Sequence, residues 1–247
     1  MILRPCWTDG VSRLWVYFDH LGLAANQNPN PTPMSQLLYL LRHGQTDFNL
    51  QDKVQGSGHD TSLNETGKVQ AQVFHRHYAG EPFDAFYCSL LQRSRQTLDP
   101  FLQDPFYQGI PLHARAGLNE FNWGIFEGHS FDAFNAVYRQ LVVDWRAGKE
   151  DAAPPGGDSP ATVAARMQPV VEELREGPYQ RPLICLHGRA LRLLLCLLTG
   201  KPSTSMDDFD HSNLCLYVLL RVGDLYEVIQ SNDTTHLEGL QSGHARR

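Results

Sequence analysis

The stretch Leu37-Leu-Tyr-Leu-Leu-Arg-His-Gly44 is an apolar run followed at once by an arginine, a histidine and a glycine. The apolar run predicts a buried strand over 37–41, with a loop beginning at Arg42. His43 would then lie at the carboxyl end of a strand, where open α/β sheets bind their ligands. An arginine beside a histidine, with Gly44 letting the backbone come close, suits a ligand that carries several negative oxygens. The stretch therefore predicts a phosphate site.

Outward from this stretch, short apolar runs alternate with helical patterns. The predicted strands are 37–41, 84–88, 182–186, 214–221 and 225–230, and the predicted helices are 63–79, 91–103, 131–147, 160–176 and 190–198. Ser159 is a good N-cap for the helix that opens with Pro160, and Gly200 is placed to end the last helix. This alternation predicts an α/β fold, a three-layer α/β/α sandwich around a mostly parallel central sheet.

The two ends of the chain differ from its middle. Residues 26–33 read Asn-Gln-Asn-Pro-Asn-Pro-Thr-Pro, which is typical of a linker. We therefore expect a poorly ordered N-terminal extension over 1–33, a single domain over 34–240 and a C-terminal tail over 241–247. Met34 could itself serve as a start, so the extension is either genuine or an over-long reading of the gene, and it receives no function.

Composition limits the classes of partner and of compartment. The net charge of −6 provides no basic surface for nucleic acid or for an anionic membrane. The chain has no apolar stretch of about 20 residues, and the short apolar run Leu14 to Phe18 does not predict a signal peptide. Its five cysteines are odd in number and widely spaced. We expect a cytoplasmic protein, monomeric or homodimeric, whose partner is a small phosphorylated substrate.

A second apolar run, residues 182–186, also leads directly into a histidine and a glycine, His187 and Gly188. Because the carboxyl ends of parallel strands meet at one edge of a sheet, both histidines are predicted to face the same rim. Arg93 is predicted on the first turn of the helix that follows strand 84–88, near that rim. Two imidazoles and two guanidinium groups would thus surround one anion.

Residues 42–49, Arg-His-Gly-Gln-Thr-Asp-Phe-Asn, resemble the opening motif of the histidine phosphatase superfamily, also called the phosphoglycerate mutase-like family. Four further segments agree with that family, in the same order. They are Gln55-Gly56 with Asp60, Leu63 and Gly67; Ser89 to Thr97, similar to S-x-L-x-R-A-x-Q-T; Leu118 to Gly128, similar to L-x-E-x-x-x-G-x-x-E-G; and Gly157 to Ser159 with Arg166, followed by His187, Gly188 and Arg192. The resemblance covers about residues 36–238 and implies a phosphoglycerate mutase-like fold.

The resemblance implies phosphoryl transfer through a phosphohistidine, with His43 as the nucleophile. Arg42 and Arg93 would hold the phosphoryl oxygens with planar forks of donors, and His187 would add a further donor. Charge on the transferring group would be stabilised without a metal ion, and no cofactor is implied. Neighbouring guanidinium groups would keep His43 neutral, as attack requires.

Glu120 resembles the proton donor of the family, which protonates the leaving alkoxide and later takes a proton from water. Glu127 is the other carboxylate of the same loop, and position in the motif favours Glu120. The remaining positions that match the family's phosphate- or substrate-binding residues are Asn49, Gln55, Gly56 and Gly188. An asparagine after a glycine loop is also a common cap residue, so Asn49 has a structural alternative.

The chain departs from the family pattern at a few positions. Gln45 stands where an acidic residue is frequent, Ser94 stands where alanine is usual, and the loop before Asp60 looks one residue long. We expect these differences to affect substrate preference more than chemistry.

Three functions fit the pattern. A metal-independent phosphomonoesterase is favoured, because the short interval between His43 and His187 resembles the compact phosphatase branch. A cofactor-dependent phosphoglycerate mutase would share the pocket but would carry a longer inserted segment and a tail over the site. A non-catalytic phospholigand-binding protein would be expected to lack His43 or the acid, and this chain has both.

Overall fold

The computed structural model describes residues 35–240, so the predictions for 1–33 and 241–247 lie outside the described residues. The strands within this range are β1 (Leu37–Arg42), β2 (Ala85–Cys88), β3 (Leu112–Ala114), β4 (Pro182–Leu186), β5 (Leu216–Val222) and β6 (Leu225–Asp233). The α-helices are α1 (Asp47–Leu50), α2 (Glu65–Tyr78), α3 (Gln92–Leu102), α4 (Phe131–Arg146), α5 (Pro160–Glu176) and α6 (Gly188–Thr199). Short 3-10 helices lie at Pro105–Tyr107, Ala116–Leu118, Gly124–Phe126, Ser203–Asp208 and Thr235–Leu237.

The strands form one sheet in the order β3-β2-β4-β1-β5-β6. Strands β1 to β4 are parallel to one another, whereas β5 pairs antiparallel with β1, and β6 pairs antiparallel with β5. The prediction of an α/β fold with a mostly parallel sheet is therefore confirmed. Parallel strands of this kind are buried on both faces, which explains the continuous apolar run over 37–41.

Side chains of the sheet alternate between two apolar cores, one on each face. Leu38 and Leu40 pack on one face with α4, α5 and α6. Leu37, Tyr39 and Leu41 pack on the other face with α2 and α3. The helices thus form two layers with the sheet between them, and the carboxyl ends of β1, β2 and β4 remain open at one edge.

Several boundaries follow local chemistry, and one strand was not predicted. Ser159 accepts a hydrogen bond from Thr162 N at 3.2 Å, which confirms it as the cap of α5. Helix α6 begins at Gly188, directly after His187, and ends at Gly200, whose φ of 71° is left-handed. Strand β3 is a partly exposed edge strand of three residues, and so it lacks an apolar run. Within residues 35–240, no helix combines the length and the apolar character needed to span a bilayer.

Candidate active site

The two histidines lie side by side because β1 and β4 are neighbours. Arg42 pairs with Leu186 in the parallel register, so the residues that follow these strands emerge together at the edge of the sheet. The ring centroids of His43 and His187 are 5.0 Å apart. The predicted single rim is therefore present, with both imidazoles buried in it.

The ring of His43 is held in one tautomer. Its Nδ1 lies 2.7 Å from the carbonyl oxygen of Gly44, which can only accept, so Nδ1 carries the proton. No group among residues 35–240 makes a hydrogen bond to Nε2, which keeps its lone pair. His43 is 3% exposed, and its own carbonyl accepts from Asn213 Nδ2 at 3.1 Å. The side chain thus presents a fixed, unshared nitrogen.

His43 is neutral in the folded protein. Burial lowers its pKa well below the ordinary 6.5, and the charges of Arg93 and then Arg42 lower it further. Because the protonated form is the disfavoured one, the nucleophilic form persists when the pH falls below 6.5.

This neutrality is testable by NMR. We expect the ring signals of His43 to show no protonation across the pH range in which an ordinary histidine, with a pKa of 6.5, gains its proton. The measurement is a pH titration of the ¹⁵N-labelled chain, with the His43 signals assigned from their loss in His43→Ala and with free histidine as reference. A midpoint near 6.5 would contradict the electrostatic argument.

Arg93 is fully buried and its guanidinium is oriented by the loop that follows Gln55. Its terminal nitrogens donate to the carbonyls of Gly56 (3.1 Å) and His59 (2.9 Å), and its Nε lies 3.1 Å from His187 Nδ1. Burial lowers the pKa of Arg93 to about 10, so the group remains charged at neutral pH. Arg93 therefore brings a fixed positive charge close to both histidines.

Gln55 and Gly56 lie against Arg93. With its amide nitrogen towards Thr46 Oγ1 (2.6 Å), Gln55 places its oxygen 2.9 Å from Arg93 Nε. A side chain at Gly56 would collide with Glu127 Oε1 and with the carbonyl of Phe121. The structure thus places both residues where they orient the guanidinium group of Arg93.

Arg42 is the last residue of β1 and is partly buried. One of its terminal nitrogens donates to the carbonyl of His211 at 3.1 Å. Gly188 lies beside it, where a side chain would press on the ring of His211. Arg42 and Gly188 are therefore neighbours, and Arg42 directly precedes His43 at the end of β1.

Both ring nitrogens of His187 are engaged. Nδ1 faces Arg93 Nε, and Nε2 lies 2.8 Å from Ser89 Oγ. Burial lowers the pKa of His187 well below its ordinary value, and the charge of Arg93 lowers it further. In this geometry His187 is a neutral group that holds Arg93, so a direct donation to substrate requires it to leave one of these partners.

Glu120 is held by backbone N–H groups at the start of α6. Its Oε1 accepts from Phe121 N and Ala190 N, both at 2.9 Å, and its Oε2 accepts from Arg189 N at 3.0 Å. These three backbone hydrogen bonds fix the position of the carboxyl group. Since a carboxylate oxygen has two lone pairs, Oε2 retains one that can take a proton.

Glu127 lies in the same loop but is committed to backbone groups. Its Oε1 accepts from Trp123 N (3.0 Å) and Gly58 N (3.2 Å), and its Oε2 lies 3.0 Å from His59 Nδ1. Glu127 thus joins the loop that carries Gly58 to the loop that follows Glu120. Both carboxyl groups therefore make three hydrogen bonds, and position in the motif remains the reason to prefer Glu120 as the candidate acid.

Asn49 has the geometry of a cap residue. Its Oδ1 accepts from Thr46 N at 3.2 Å in a capping box and from Asn213 Nδ2 at 3.2 Å. Because the oxygen is used in this way, only the amide nitrogen of Asn49 is left to donate to a substrate.

Sequence patterns missed two residues of the site as candidates. Asn213 bridges Asn49 and the carbonyl of His43, and Arg166 donates to the carbonyl of Glu120 at 2.9 Å. Arg166 lies in a motif of the resemblance, which was the available signal. Asn213 comes just before β5, and only the antiparallel pairing of β5 with β1 brings it to this edge. Within the described residues, no group of three or more histidine, cysteine or acidic side chains is arranged to hold a metal ion.

Comparisons with known proteins agree with this geometry. Residues 38–234 match the Histidine phosphatase superfamily (branch 1). A 2,3-bisphosphoglycerate-dependent phosphoglycerate mutase from Methylobacterium radiotolerans is 33% identical over 183 residues, which cover 71% of this chain and 84% of the mutase.

Solved structures of phosphatases share the fold. An alpha-ribazole phosphatase from Shigella flexneri has a TM-score of 0.69 at 27% identity, over 80% of this chain and 96% of that one. A mycobacterial glucosyl-3-phosphoglycerate phosphatase has a TM-score of 0.69 at 25% identity, over 81% of this chain and 100% of that one. Because the family match covers residues 38–234, this chain belongs to branch 1 of the histidine phosphatase superfamily.

Proposed function

We propose that the protein is a metal-independent phosphomonoesterase that acts on a small phosphorylated metabolite through a phosphohistidine. The observation that carries this proposal is the state of His43. It is a buried, neutral imidazole with a free Nε2, and it lies between two guanidinium groups. A neutral nitrogen nucleophile in a positive environment is what attack on a phosphate ester requires.

In the first step His43 Nε2 forms a bond to phosphorus and the ester P–O bond breaks. The leaving alkoxide takes a proton from Glu120 Oε2. The imidazole becomes positively charged when Nε2 is phosphorylated, and the hydrogen bond from Nδ1 to Gly44 O stabilises that charge. Arg42 and Arg93 stabilise the negative oxygens of the transferring group.

In the second step water attacks phosphorus and the P–N bond breaks. Glu120 takes the proton of the water, and His43 returns to its neutral form as phosphate leaves. The proton that Glu120 gives to the leaving group in the first step is thus regained from water in the second, and the catalytic cycle closes.

A phosphoglycerate mutase is the second candidate, and the identity with the Methylobacterium radiotolerans mutase favours it. The same residues would then retain the phosphoryl group on His43 and return it to another hydroxyl. The short interval between His43 and His187 and the likeness to two phosphatase structures support the hydrolase instead.

A phosphate-release assay tests the proposal. The substrates are 3-phosphoglycerate, alpha-ribazole phosphate, glucosyl-3-phosphoglycerate and an aryl phosphate, each assayed with and without a chelator and with and without 2,3-bisphosphoglycerate. We expect phosphate release that the chelator leaves unchanged, with His43→Ala protein as the blank. Isomerisation of 3-phosphoglycerate that depends on 2,3-bisphosphoglycerate would instead identify a mutase, and the absence of both reactions would contradict an enzymatic role.

A further inference from the structure

A chain of buried hydroxyl groups leads from His187 into the first turn of α3. His187 Nε2 lies 2.8 Å from Ser89 Oγ, and Ser89 Oγ lies 2.8 Å from Ser94 Oγ. Ser94 Oγ lies in turn 2.8 Å from the carbonyl oxygen of Leu91. Both serines are buried, Ser89 at 1% exposure and Ser94 at 0%. Ser94 is also one of the positions at which this chain departs from the family pattern.

The direction of every hydrogen bond in this chain can be deduced from its first member. Arg93 Nε always carries a proton, so His187 Nδ1, 3.1 Å away, must accept, even where Gln55 shares that proton. The neutral ring of His187 then carries its proton on Nε2 and donates it to Ser89 Oγ. Ser89 Oγ also accepts from Leu91 N at 3.0 Å, which fills both of its lone pairs.

The hydroxyl proton of Ser89 therefore has to be donated onward. Within residues 35–240 its acceptor is Ser94 Oγ, and the Ser94 hydroxyl donates to the carbonyl of Leu91. If Ser94 lacked its oxygen, the Ser89 hydroxyl would be a buried donor without a partner, which costs about 1–3 kcal/mol. Turning that hydroxyl towards His187 Nε2 would relieve the cost. The ring would then carry its proton on Nδ1, and Arg93 Nε–H would have to leave Nδ1 and bond to the oxygen of Gln55 alone, 2.9 Å away.

We propose that Ser94 is a positioning residue that fixes the tautomer of His187, and through it the orientation of Arg93, by accepting the hydroxyl proton of Ser89. Only the expected effect of Ser94 on the rate of phosphate release rests on the proposed function. The tautomer itself is a property of the folded chain. The departure from alanine at position 94 thus has a role at the phosphate site.

The test is a long-range ¹H–¹⁵N correlation spectrum of the ¹⁵N-labelled full chain. The His187 signals are assigned among the 11 histidines from their loss in His187→Gln. We expect the native protein to carry its proton on Nε2 alone. We expect Ser94→Ala to populate the Nδ1-protonated form as well, and Ser94→Thr, which restores a hydroxyl, to return the native signature.

A matched control is Thr199→Val, which removes another helix hydroxyl that donates to a carbonyl, that of Leu195 at 2.7 Å, at the far end of α6. It should leave the His187 signals unchanged. In a phosphate-release assay we expect Ser94→Ala to lower kcat/KM about three- to tenfold, as the loss of one hydrogen bond predicts, with recovery in Ser94→Thr.

The outcomes separate this proposal from the proposed function. The role of Ser94 would be overturned, whether or not phosphate is released, by either of two results. One is a native His187 that is protonated on Nδ1, and the other is a set of His187 signals that is identical in the native and Ser94→Ala proteins. A shifted tautomer in a protein that releases no phosphate would support the role of Ser94 and count against the hydrolase.

Discussion

Replacing His43 with alanine should lower phosphate release by about four orders of magnitude or more, because the variant loses the nitrogen that we propose forms the phosphoenzyme. The expectation rests on two observations within residues 35–240: Nε2 of His43 makes no hydrogen bond, whereas both ring nitrogens of His187 make one. The measurement is steady-state phosphate release, together with labelling of the protein by a ³²P-phosphorylated substrate. The native chain should carry acid-labile label, and the variant should carry none.

His77→Ala is the matched control, since this exposed histidine lies on α2 away from the sheet edge. It should retain native activity. The assignment of the nucleophile would be wrong if His43→Ala kept more than about a tenth of native activity, or if label persisted in it and disappeared in His187→Ala.

Glu120→Gln should slow turnover by about 100-fold or more with alkyl phosphates, and by about tenfold or less with aryl phosphates. A poor leaving group needs its proton in the transition state, whereas an aryl oxide leaves without one. The amide NH₂ introduced by Glu120→Gln would also replace an oxygen that accepts hydrogen bonds from backbone N–H groups of Phe121, Arg189 and Ala190, so two donors would face each other. That mismatch slows all substrates alike, so the dependence on leaving group is the diagnostic result.

Glu127→Gln provides the comparison, because Glu127 holds the neighbouring loops through Gly58, Trp123 and His59. Disturbing those loops should raise KM for every substrate by a similar factor. If Glu120→Gln showed the same uniform loss, Glu120 would have a structural role only, and the proton would have to come from another group.

The parts of the site that could be predicted from the sequence are those that depend on local chemistry. The apolar runs before His43 and His187 locate two strand ends, and the cap at Ser159 requires only its own helix. The position of Arg93 on the first turn of the helix after strand 84–88 predicts it near the rim, and the pairing of β2 with β4 explains why it reaches His187.

What escaped prediction depends on which elements become neighbours. The antiparallel pairing of β5 with β1 brings Asn213 to the carbonyl of His43, and no motif around Asn213 indicates it. Two of the three donors that hold Glu120 are backbone N–H groups of α6, and a backbone donor cannot be recognised from the type of residue in the sequence. Strand β3 was missed because an edge strand of three partly exposed residues has no hydrophobic pattern.

No loop separates His187 from α6, so Glu120 and His187 are both attached to the start of the same helix. Glu120 is attached to the amides of the two residues that follow Gly188, so any sliding of this helix carries carboxylate and imidazole together. The start of one helix therefore sets the spacing between this carboxylate and this imidazole, whereas His43 is positioned by the neighbouring strand β1. Substitutions deep in the apolar face of α6 should accordingly perturb both groups in concert.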